Sequence, residues 1–207
     1  MIHVVEVETT TADTLTTLKV DLDALREASN SPAPHTTETI VPPPGFEWLR
    51  QPVDSALAEA DTPDVLAERA LRLSMAALPC RLAAFISLDQ ETEVLSVKSA
   101  LGELGEQLVG TTYDHSEGLL AACLHTSLSA VLEATGSGPY SVSSLNQELG
   151  TNVRTAIMAS VTSGREASGV LLLADPLSGK HFRATELAVA NYLAMSVYCA
   201  IQKCGRT

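Results

Sequence analysis

Two stretches of this chain each hold a pair of apolar, strand-length segments separated by only a few turn residues. Arg81 to Leu88 is followed, after Asp89-Gln90-Glu91-Thr92, by Val94 to Ala100. Arg154 to Thr162 is followed, after Ser163-Gly164-Arg165-Glu166, by Gly169 to Ala174. Parallel neighbours need a crossover of about a dozen residues or more, so both pairs must run antiparallel. Arg81–Leu88 is apolar on both sides, which places it centrally in a sheet. Thr62-Pro63-Asp64 supplies an N-cap, a proline at the first helical position and an early acid. Leu66, Ala70, Leu73 and Ala77 then mark one face of a helix that Pro79 stops. Leu187, Ala190, Ala194, Val197 and Ile201 stripe a second long helix at the C-terminal end. Between the strand pairs lie short helices at Ser116–His125 and Ser143–Leu149, a short strand at Ser129–Glu133, and a loop at Gly136-Ser137-Gly138-Pro139. The order predicts an α+β domain: an antiparallel sheet with both long helices on one face and the short helices and loops over the other, leaving a pocket there.

Charge and proline divide the chain unevenly. Residues 1–63 carry three basic and eleven acidic residues, hence −8 of the total −12, and six of the ten prolines lie between positions 32 and 52. The segment 31–62 therefore reads as a proline-rich acidic linker, with Pro42-Pro43-Pro44 favouring polyproline II, and the main domain spans 63–202 with a short tail at 203–207. Residues 1–30 form an extension with a strand at Met1–Glu8, then Leu15, Leu18, Leu22 and Leu25 at helical seam spacing; a second strand over Leu18–Leu22 is the competing reading. This extension has too few residues to bury its own apolar face.

The acidic balance argues against nucleic acid and anionic membrane surfaces as partners. No stretch reaches the roughly 18 uninterrupted apolar residues of a bilayer span. Met1-Ile2-His3-Val4-Val5-Glu6 lacks the basic lead and apolar core of a signal peptide, and Cys80, Cys123, Cys199 and Cys204 form no Cys-x-x-Cys pair. A cytoplasmic protein without a disulfide framework, a metal or a resident cofactor is the expectation.

Three segments carry a family resemblance. The first is the helix ending in Ala76-Ala77-Leu78 with the Arg81–Leu88 strand and the acidic turn at Asp89. The second is Glu117-Gly118-Leu119-Leu120-Ala121 at the start of a helix. The third is Thr155-Ala156-Ile157-Met158-Ala159-Ser160-Val161, a turn, Gly169-Val170-Leu171-Leu172-Leu173, then Phe182-x-x-x-Glu186-Leu187. In this order and spacing they resemble a GAF domain over about residues 63–202. The resemblance implies a module that binds small molecules, or dimerises, to regulate a partner signalling protein. Cyclic-nucleotide-binding members carry Asn-Lys after the penultimate strand and Phe-x-x-x-Asp-Glu beyond it, where this chain has Ala174-Asp175 and Glu186-Leu187. Bilin attachment uses a cysteine often followed directly by histidine; Cys123-Leu124-His125 differs in spacing and position. His115, His125 and His181 are not singled out as haem ligands by their surroundings. The free methionine sulfoxide reductases of the family need a cysteine after the small-helix glycine and another near the late strand. Here Leu119-Leu120 follows Gly118, and Arg154–Val161 holds none. With no serine elbow, phosphate loop or His-Glu-x-x-His either, an enzyme is not expected.

Fold analogy makes Val97, Ser99, Tyr113, Leu119, Leu145, Leu149, Thr155 and Met158 candidate pocket residues, a mixture suited to a neutral, partly apolar ligand. The same positions could instead simply fill a core around a vestigial pocket, leaving a scaffold or adaptor. Phe46 and Trp48 beside the triple proline are candidate partner contacts. Leu71, Met75 and Leu78 on the first long helix, with Val189, Leu193 and Ser196 on the last, are candidates for an outward stripe that would pair two copies in a symmetric bundle. A homodimer with a separate signalling protein as its output is the expectation on both readings.

Overall fold

The computed structural model describes residues 40–133, 140–163 and 166–204. The strand and leucine seam expected over 1–30, the loop at 136–139 and the turn residues 164–165 lie outside the described residues. After a short 3-10 turn at Glu47–Leu49 come helices α1 (Arg50–Ala58) and α2 (Pro63–Ala77), strands β1 (Cys80–Asp89) and β2 (Val94–Gly102), helix α3 (Gly105–Leu108) and strand β3 (Thr112–Asp114). Helix α4 (Gly118–Thr126), strand β4 (Ala130–Glu133), helix α5 (Val142–Leu149), strands β5 (Thr155–Ser163) and β6 (Glu166–Pro176), and helix α6 (Ala184–Cys204) complete the order. The described strands form one antiparallel sheet ordered β3-β2-β1-β6-β5-β4.

The period-2 rule sorts the central strands between two cores. Ala83 and Phe85 of β1, Ile157 and Ala159 of β5, and Leu171 and Leu173 of β6 face the terminal helices. Leu82, Ala84 and Ile86, with Ala156, Met158, Val170 and Leu172, face α4 and α5. Both faces of β1, β5 and β6 are therefore dry, which explains why their sequences read as continuous apolar runs. The β1–β2 turn is tied by Asp89, whose Oδ1 accepts from the N–H groups of Glu91 (2.9 Å) and Thr92 (3.1 Å). Thr62 caps α2 as expected, its Oγ1 accepting from Val65 N at 3.3 Å with Pro63 at the first helical position. At the far end of the sheet Asp175, held at φ +52°, accepts from Arg154 N (2.8 Å) and Thr155 N (3.2 Å) and clamps β5 to β6.

Two expectations are corrected. Residues 47–58 are helical rather than extended linker, because Leu49 and Val53 are 1% exposed and α1 packs on both α2 and α6. Proline at position 52 is compatible with this, since it stands in the first turn of α1, where its missing N–H has no intrahelical partner to lose. The expected outward stripe also turns inward. Leu71, Leu78, Val189 and Leu193 belong to the core between the terminal helices and the sheet, Met75 is half-buried against it, and Ser196 is half-buried with its hydroxyl on Tyr192 O. Both apolar stripes of α6 are covered, because α1, α2 and the sheet all pack on it. Over 20 residues α6 is long and apolar enough to cross a bilayer. Its Val189, Ala190, Leu193, Ala194 and Val197 are instead spent on the sheet.

Candidate functional site

The second face of the sheet carries a recess of about 280 Å³ between α4 and the β4–β5 edge. Its α4 wall is Leu119, Ala122, Cys123 and Thr126; Ala130 and Leu132 of β4 and Met158 of β5 form the floor; Leu128, Ser129 and the exposed Tyr140 form the rim. Helix α4 is apolar around most of its circumference, so one side packs into the core through Leu120 and Leu124 while the other faces the recess. The polar atoms in the wall are already satisfied. Cys123 Sγ donates to Leu128 O (3.1 Å), Thr126 Oγ1 to Ala122 O (2.6 Å), and Ser129 Oγ accepts from Ser160 N (3.1 Å). Such a surface offers dispersion and desolvation rather than directed hydrogen bonds.

A second, more polar hollow of about 400 Å³ abuts the first and shares Leu119, Ala122 and Tyr140 with it; Gly118, Ser144, Gln147 and Glu148 complete its lining. Glu148 projects from α5 to the start of α4. Its Oε2 accepts from Leu119 N at 2.7 Å and its Oε1 from Leu120 N at 3.4 Å. The N-cap residue of α4, Glu117, makes no such bond with its side chain, so the cap comes from the neighbouring helix. Gly118 allows this approach: at φ +91°, a Cβ there would stand 2.6 Å from Glu148 Oε1. Asn146 fixes the presenting helix by bonding Val153 O (2.8 Å) and Val153 N (2.8 Å).

Burial raises the Glu148 carboxyl above its ordinary value of 4.5, outweighing the two N–H bonds that favour the anion. The folded state then holds this proton more tightly than the unfolded chain, so the contribution of Glu148 to stability is greatest below pH 4.5 and is lost as pH rises through the shifted value. Glu148→Gln is expected to remove that decline. Urea midpoints of the two proteins between about pH 4 and 7 should diverge in slope, with the wild type falling more steeply. Parallel slopes would show that Glu148 is not the titrating group.

Of the pocket residues expected from the sequence, the structure brings Leu119 and Met158 to the recess. Val97, Leu145 and Leu149 are packed inside the second core, and Thr155 is buried with its hydroxyl donating to Leu132 O at 3.0 Å. Tyr113 lines a separate hollow on the β2–β3 edge with Glu93, Asp114 and His115, and Ser99 is half-buried on β2 away from the recess lining. Ala122, Cys123 and Tyr140 are absent from the sequence-based set; the Glu117-Gly118 signature at the head of the largely apolar α4 was the available pointer to the first two. Phe46 packs against the first core, while Trp48 is 55% exposed.

The cysteines are split by the sheet. Cys80 belongs to the terminal-helix core and Cys123 to the other, and Cys199 is exposed on α6. Burial pushes the Cys80 thiol up to about 11 and the Cys123 thiol up to about 12. Both are held protonated at neutral pH, the form that is a poor nucleophile.

No family model and no curated protein matches this sequence. Solved structures do. The GAF domain of an Acinetobacter phosphoenolpyruvate-protein phosphotransferase superposes with a TM-score of 0.64 at 15% identity, covering 78% of this chain and 95% of that one. The corresponding domain from Coxiella burnetii gives 0.64 at 20% identity over 78% and 94%. Free methionine-R-sulfoxide reductase from Neisseria meningitidis, solved with its substrate, gives 0.61 at 16% identity over 78% and 90%. The order of the strands, the two long helices behind them and these superpositions together establish that the described chain has the fold of a GAF domain.

Proposed function

We propose that this protein is a non-enzymatic regulatory module that senses a small molecule in the recess between α4 and the β4–β5 edge. The observation that carries this reading is an apolar recess of about 280 Å³ that no described side chain fills, on the face opposite the terminal helices. An apolar molecule entering such a recess removes apolar surface of both partners from water, which is favourable. Occupation would bear on α4 and on Tyr140 at the rim, and the signal would leave through contacts with a separate signalling protein or a second copy. The phosphotransferase GAF domains and the methyl-accepting chemotaxis protein among the structural neighbours support a regulatory role. The reductase among them shares the fold, but the split of Cys80 and Cys123 between opposite faces and their raised pKa values disfavour thiol chemistry here.

A thermal-shift screen of the full chain against nucleotides, amino acids, tetrapyrroles and small aromatic compounds tests the reading. A ligand at a hundredfold excess over its Kd stabilises by about 2.7 kcal/mol, a shift of several degrees that Ala122→Trp should abolish by filling the recess. Silence across the panel, or shifts that persist in Ala122→Trp, would remove the recess from consideration. The exposure of Trp48 favours a second reading, an adaptor that docks a partner groove through this indole. Loss of partner binding in Trp48→Ala with no ligand response would select it.

A further inference from the structure

The first N–H groups of a helix attract anions, and a ligand with a negative group would find its natural anchor at the start of α4. In this protein that anchor is taken. The Glu148 carboxylate accepts from Leu119 N and Leu120 N, and Gly118 has no Cβ to hold it off. The hollow containing Glu148 opens beside the apolar recess, with Leu119, Ala122 and Tyr140 common to both. Among the described residues, no Lys, Arg or His lines either space. The hydroxyl and thiol groups of Cys123, Thr126 and Ser129 are engaged with the backbone. A second negative charge in this half-buried corner would face a fixed carboxylate at reduced dielectric, with no counter-charge to offset it.

Building on the sensing role above, we propose that Glu148 sets the charge preference of the recess: it holds a tethered carboxylate where a ligand's anionic group would dock, so the site takes compact apolar molecules without negative charge. Gly118 is part of the same device, because any side chain there would displace Glu148 and free the N–H groups of α4.

Indole and indole-3-acetate are matched probes, one neutral and one anionic on the same apolar body. Calorimetric titration of the full chain at neutral pH should give binding of indole and discrimination against indole-3-acetate of at least about tenfold. In Glu148→Gln one amide oxygen still accepts from α4 and the fixed charge is gone, so the ratio should fall to within about threefold. Ala122→Trp should abolish indole binding and so place it in the recess. Equal affinity of wild type for both probes would overturn the proposal without any variant, as would a ratio unmoved by Glu148→Gln; the sensing role would survive either result. Failure of both probes to bind wild type would overturn this proposal, while the sensing role falls only with silence across the wider panel. If indole affinity weakens as protein concentration rises, a second copy competes for the recess, and the proposal also fails.

Discussion

Leu193→Asp is expected to unfold the domain rather than to dissociate a dimer. Leu193 is 2% exposed on α6 and sits in the core that joins α1, α2, α6 and the sheet. Removing its apolar contacts costs about 2–5 kcal/mol by analogy with large-to-small core changes. The carboxylate then adds the penalty of a buried charge with no partner, or of a group forced to stay protonated. Against a total stability of about 5–15 kcal/mol, the sum removes most or all of it. Circular dichroism at 25 °C and urea titration read the outcome directly, with light scattering as the companion measurement. A folded Leu193→Asp protein with reduced mass would instead return Leu193 to an intermolecular surface.

Gly169→Val is the second large effect. Gly169 lies in β6 between β1 and β5, paired with Ser87 on one side and Val161 on the other. A Cβ at this position would collide with the carbonyl oxygen of Ile86 and approach Ser87 Cα to 3.2 Å. Both obstacles are backbone atoms of a central strand, so neither can swing aside as a side-chain tip could. Relief requires parting β1 from β6 near this point, with loss of ladder bonds and of packing on both cores. A cost of about 3 kcal/mol or more is expected, with Gly169→Ala only slightly milder, since the first added carbon makes the collision. Chemical denaturation of the three proteins decides it. A loss below about 1 kcal/mol for Gly169→Ala would mean that the strands part easily here.

The elements legible along the chain were those whose signal is local. Strands β1, β2, β5 and β6 and helices α2 and α6 were each foreseen to within a few residues, because apolar runs, caps and turn residues act over one or two turns of chain. Strand β3 was not foreseen. It is Thr112–Asp114, three residues that exist as a strand through pairing with Val94, Leu95 and Ser96. Helix α1 was hidden by the proline-rich composition around it, although Leu49 and Val53 at helical spacing were the seam that buries it. The recess was half legible. Leu119 and Met158 are named by fold analogy, whereas Cys123 enters the sequence reading only through its lack of a Cys-x-x-Cys partner and the bilin comparison, and Tyr140 not at all.

Periodicity, caps and tight turns were enough to dictate an antiparallel sheet with long helices behind it and short ones in front, because those signals are read within a single segment. The sequence alone did not say that both stripes of α6 turn inward, whether residues 47–58 dock, or that Glu148 closes the start of α4 from 28 and 29 positions away. Each of those depends on surfaces contributed by segments distant in the chain, and their free energies exist only once those surfaces meet.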